Sequence, residues 1–115
     1  MDIFAFNDPY ITEFTSEQEE RANQATVVNL ENCVRLRSVP AFPEATYVDL
    51  ECCERLKSVP AFPLATHVSL WGCEGLKSVP SFPVAIWVDL RGCSSLWCVL
   101  AFPAGTKVLL PEHLK

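Results

Sequence analysis

The sequence predicts a repeat solenoid with a parallel β-sheet on its concave face, an extended, polyproline-like convex side and a short helical N-terminal cap over residues 1–24. Three observations lead there. From residue 25 the chain repeats itself every 20 residues; each copy carries a Val-x-Leu alternation; and three of the four complete copies close on Val-Pro-x-Phe-Pro. A unit of this length cannot close a core alone, so copies must stack and bury one another's apolar columns.

Taken in order, residues 1–24 do not repeat. Asp8-Pro9 reads as a helix start, with Asp as N-cap and Pro at the first helical position. Ser16-Glu17-Gln18-Glu19 reads as a capping box opening a second short helix, with acids where the helix dipole favours them. Phe4, Phe6, Ile11 and Phe14 supply an apolar face to lay on the first repeat. The acids Asp2, Asp8, Glu13, Glu17, Glu19 and Glu20, against Arg21 alone, read as a solvated outer face.

The repeats start at residues 25, 45, 65 and 85, with a partial copy from 105, and residues 1–115 form one structural domain. The unit reads A-T-x-V-x-L-x-x-C-x-x-L-x-S-V-P-x-F-P-x. Its Val and Leu alternate with polar or variable residues, the period-2 signature of a strand with one buried face. Val28, Val48, Val68, Val88 and Val108 therefore point inward with Leu30, Leu50, Leu70, Leu90 and Leu110, and the strands run parallel, one per copy. The prolines of the return segment remove backbone donors and fix φ, so that segment runs extended. Leu36, Val39, Phe42 and their counterparts fill the core from that side. In the fourth copy Trp97, Cys98 and Leu100 replace a base, a serine and a proline. These substitutions either fold over the last rung as a makeshift cap or leave an adhesive end.

The formal net charge is −5, and the repeats from residue 25 onward are balanced in charge. Without a basic field, nucleic acids and anionic membranes are set aside as partners. No apolar run is long enough to cross a bilayer, and Met1–Phe6 lacks the basic start of a secretory signal. Cys33, Cys53, Cys73 and Cys93 form a column of buried, reduced thiols, because equivalent ladder positions suit neither a tetrahedral metal site nor disulfides. Cys52, outside the column, is the expected accessible thiol. No metal site or cofactor is expected. With two histidines, no glycine-rich phosphate loop and no placed nucleophile, neither is an enzyme. Arg37, Lys57 and Lys77 read as a solvated basic row beyond the turn.

Function is sought in the columns that vary. On the outward strand positions Tyr47, His67 and Trp87 fall in one row, with Trp71 beside it. Glu31, Asp49 and Glu51 gather toward one end, and Arg91 and Lys107 toward the other. Such a face has the composition of a protein-binding hot spot. The expected partner-binding set is Tyr47, Asp49, Glu51, His67, Trp71, Trp87, Asp89, Arg91 and Lys107. Aromatics serve as anchors, and His67, Asp49 and Asp89 set specificity. The bland alternative is an aromatic ladder that only stiffens the sheet.

The unit resembles leucine-rich repeats, specifically the short 20-residue bacterial type ending in L-x-x-L-P-x-L-P, over residues 25–115. Two features depart from that pattern: cysteine stands where asparagine is usual after the strand, and Ala25, Ala45, Ala65 and Ala85 replace the first leucine. The resemblance implies a leucine-rich-repeat solenoid of the right-handed α/β superhelix class. It further implies an effector, held in the bacterial cytoplasm and then secreted into the host cytosol. There it would bind a host protein, or another effector, through the concave face as inhibitor or adaptor. The chain is expected to be monomeric on its own. The competing expectation is a self-assembling repeat protein that dimerises through Trp97, Leu100 and Leu109.

Overall fold

A computed structural model describes residues 2–6, 8–99 and 101–115. The elements are β1 (Ile3–Ala5), α1 (Ser16–Gln24), β2 (Val27–Asn29), β3 (Tyr47–Asp49), β4 (His67–Ser69), β5 (Ser78–Val79), β6 (Trp87–Asp89), β7 (Cys98–Val99) and β8 (Lys107–Leu109). A short 3-10 turn, Glu112–Leu114, follows. A six-stranded, wholly parallel sheet runs in the order β1-β2-β3-β4-β6-β8, and β5 pairs in parallel with β7 on the return side. The result is a parallel-strand solenoid of about 5 turns.

Register follows the repeat. Val28, Val48, Val68, Val88 and Val108 face one another across successive strands, each 20 residues on. The first four of these are fully buried, as are Leu30, Leu50, Leu70 and Leu90. Each such side chain stabilises the fold by roughly 1.5–3 kcal/mol relative to exposure. From the return side Phe42, Phe62, Phe82 and Phe102 stack with ring centroids 5.7, 5.6 and 6.0 Å apart.

Two side-chain ladders stitch the turns together. The thiols of Cys53, Cys73 and Cys93 donate to the carbonyls of Leu30, Leu50 and Leu70 at 3.2, 3.0 and 3.1 Å, one turn back. Burial raises these thiols, Cys53 to about 12 and Cys93 to about 11. They stay protonated and able to donate. Beside the strand starts, the hydroxyls of Thr46 and Thr66 donate to the carbonyls of Thr26 and Thr46. The corner before the cysteine column is left-handed in every complete turn, with φ of 65° at Asn32, 62° at Cys52, 74° at Gly72 and 77° at Gly92.

The N-terminal segment differs from the sequence expectation. Asp8-Pro9 starts no helix; the Asp8 carboxylate accepts from the Tyr10 amide at 2.9 Å in a tight turn. The single α-helix among the described residues is capped by Thr15, a residue before the expected Ser16, with Gln18 closing the box from both sides. Starting there leaves Phe14 just outside the helix, its ring 5.3 Å from that of Phe4, and buries Ala22. Phe4 itself lies on a strand, not a helix: β1 adds a sixth rung in register with β2.

At the other end the columns open. Val99, Phe102, Val108 and Leu110 are only half-buried and, with Leu114, line a groove of about 300 Å³. Pro111 is buried, and His113 donates through Nε2 to the Leu96 carbonyl, drawing the tail partway over the last rung. Trp97 is 71% exposed. Leu100 lies outside the described residues.

Candidate functional site: the outward face of the sheet

Pairing of β1 through β8 lines up Ile3, Val27, Tyr47, His67, Trp87 and Lys107 as one outward row. The Tyr47 and His67 rings stack at 6.1 Å, and His67 and Trp87 follow at 6.2 Å. Tyr47 and Trp71 are 40% and 43% exposed; His67 and Trp87 are half-buried between their neighbours. The Thr66 hydroxyl gives its proton to the Thr46 carbonyl, so at 3.0 Å its oxygen accepts from His67 Nδ1. The expected row is therefore contiguous. It gains Ile3 at its end, which sequence reasoning missed because three residues outside the repeat carry no period.

The next outward column behaves differently. Asp49 and Asp89 are only 3% exposed, so neither presents a free carboxylate to a partner as expected. Their side chains fold down and accept from the amides two residues on, Glu51 and Arg91, both at 3.0 Å. Asn29 does the same for Glu31. The column braces the turn that follows each strand, a local habit of Asp and Asn.

Beyond the brace, the two halves of the face diverge. At Asp89 the guanidinium of Arg91 closes a two-pronged pair, Nε to Oδ1 at 3.0 Å and Nη2 to Oδ2 at 2.8 Å. This hydrogen bond and charge raise the already high Arg91 pKa further. Glu51 holds the equivalent position beside Asp49. Glu31, Asp49 and Glu51 bring carboxylate oxygens within 4.8 Å of one another. Desolvation, then the two neighbouring acids, push Asp49 up to about 7 despite the Glu51 amide that favours its ionised form. Desolvation and the same acids raise the Tyr47 hydroxyl as well. Glu31, which sequence reasoning left outside the binding set, is thus part of the acidic end. Arg91 and Lys107 are exposed at the basic end.

No helix among the described residues is long and apolar enough to cross a membrane. No family model, curated protein or solved structure matches this chain.

Proposed function

We propose that this chain is a leucine-rich-repeat protein of the short bacterial effector type, that residues 1–24 cap its first turn, and that it works by binding another protein through the outward sheet face. The observation that carries the reading is the stacked Tyr47–His67–Trp87 row with Trp71 beside it on one open sheet face. Such aromatics bury large area at low entropic cost and concentrate binding energy. The face supplies roughly 600–800 Å² per partner, the range of a standard interface. The mechanism is steric: the bound partner, a host protein or another effector, has a functional surface covered or is recruited. Delivery from the bacterial cytoplasm into a host cell belongs to the same reading.

The test compares capture by wild type with capture by a Tyr47→Ala/Trp87→Ala variant whose circular dichroism is unchanged. Retention of one protein by wild type and its loss by the variant supports the reading; equal retention refutes it.

A second reading rests on the C-terminal end, where Val99, Phe102, Val108, Leu110 and Leu114 line an apolar groove and Trp97, in a separate surface pocket with Val79, Pro80 and Cys98, stands exposed. Self-association there gives a stable dimer by light scattering, whereas a concentration-independent mass near 12.8 kDa removes it.

A further inference from the structure

On the return side, away from the outward sheet face, Trp97 falls in the column of Arg37, Lys57 and Lys77, and its amide donates to the Lys77 carbonyl at 3.1 Å, one turn back. It is 71% exposed. With Val59, Val79, Pro80 and Cys98 it lines a cleft of about 440 Å³, onto which Ser58 and Ser78 also open. No acidic residue is among the lining. Lys77 and Lys57 stand one and two rungs from Trp97 in its own column, at about 4.8 Å per rung. Neither takes part in an ion pair among the described residues. The first base of the column is served differently: Glu13 of the N-terminal segment shares a hollow with Arg37 and Ser38.

We propose that this cleft is a second docking site, on which a protein partner lays an extended segment rich in carboxylates and carrying one large apolar side chain. That side chain seats against Trp97 and on Val59, Val79 and Pro80, where an exposed tryptophan concentrates binding energy. The flanking carboxylates complement Lys57 and Lys77 and accept from the Ser58 and Ser78 hydroxyls, as Glu13 stands beside Arg37 and Ser38 within the chain. A nucleic acid answers the site less well, since its phosphates meet two lysines on a chain of net charge −5 and an apolar lining.

The test is a titration of the 15N-labelled protein with the peptide N-acetyl-Glu-Glu-Phe-Glu-Glu-amide, with the Gln-Gln-Phe-Gln-Gln counterpart and an oligothymidylate as parallel arms. The expected result is saturable shifts at the Ser58, Ser78 and Cys98 amides and the Trp97 indole N–H, with a dissociation constant of about 0.1–1 mM that weakens with salt. Binding should fall roughly tenfold in Trp97→Ser and again in Lys57→Gln/Lys77→Gln. At saturation the peptide should slow alkylation of Cys98 by iodoacetamide at least about threefold and leave Cys52, outside the cleft, unchanged. Absence of saturable shifts at these positions, equal binding of the glutamine peptide, tighter binding of the oligothymidylate, or indifference to Trp97→Ser overturns the proposal. The titration is expected to survive Tyr47→Ala/Trp87→Ala; its loss there moves the peptide to the sheet face and overturns the second site alone. A concentration-dependent mass by light scattering that Trp97→Ser abolishes seats a second copy on the cleft and likewise overturns it.

Discussion

Replacing Asp49 with asparagine separates the two roles of this side chain. Asn29 already shows that an amide oxygen can brace the turn, accepting from the Glu31 amide at 3.2 Å, so Asp49→Asn keeps the brace and deletes only the charge. In the folded protein the carboxyl is held at about 7, against 3.8 for its ordinary value. The folded state therefore binds this proton more tightly than the unfolded chain does. The contribution to stability is fully present below about pH 4 and is lost as pH rises through about 7. At about 1.4 kcal/mol per tenfold change in proton affinity the loss has a ceiling of roughly 4 kcal/mol. Water around the half-exposed Glu31 and Glu51 screens part of it, leaving about 2 kcal/mol. Urea unfolding followed by tryptophan fluorescence should find Asp49→Asn more stable than wild type by about that amount at pH 8, with the gap closing toward pH 4. A variant no more stable at pH 8, or a gap independent of pH, refutes the argument that burial, with the neighbouring acids, penalises the Asp49 charge.

The corner residue Cys52 holds φ of 62° where the next two turns place glycine, so Cys52→Gly should stabilise by about 1 kcal/mol and raise the thermal midpoint by about 4 °C. Phe62 sits between Phe42 and Phe82 at 5.7 and 5.6 Å, and Phe62→Ala should cost about 3–5 kcal/mol in denaturant unfolding. Cys73→Ala removes a buried sulfur and one ladder bond, but Leu50 O still accepts from the Cys53 amide at 3.2 Å; the expected cost is about 1–2 kcal/mol. A thiol reagent should reach at most Cys52 and Cys98 in the native protein, slowly at Cys52 because burial and nearby acids raise that thiol, and the four column cysteines only on unfolding.

Repetition made the core readable. Val48 alone is one apolar residue in a short run; Val48 with Val28, Val68 and Val88 at equal spacing is a buried column, and the structure buries all four. The same logic failed where nothing repeats: β1 rests on Ile3-Phe4-Ala5, three residues that alternate too briefly to declare a strand. On the outward face, parity placed Asp49 and Asp89 correctly on the sheet but not in solvent. The overlooked signal was composition, since Asn29, Asp49, Ser69 and Asp89 are all small and polar. That is the signature of side chains bonding their own backbone. The acidic cluster depended on Glu31 and Glu51 converging over Asp49 from adjacent turns, which side-chain conformation decides and spacing does not.

The side-chain ladders bear on how a molecule of this kind changes length. Every threonine bond from Thr46 and Thr66 spans 20 residues, and every thiol bond from Cys53, Cys73 and Cys93 spans 23, always backward by one turn. A duplicated block of 20 residues inserted between two turns therefore finds an acceptor behind it and offers one ahead, and no donor is stranded. Gain or loss of a single residue within a turn moves threonine, cysteine and every inward side chain out of column at once. Changes of length that keep the interior chemistry are thus quantised: they come in whole turns, and each added turn lengthens the outward face by one rung, about 4.8 Å.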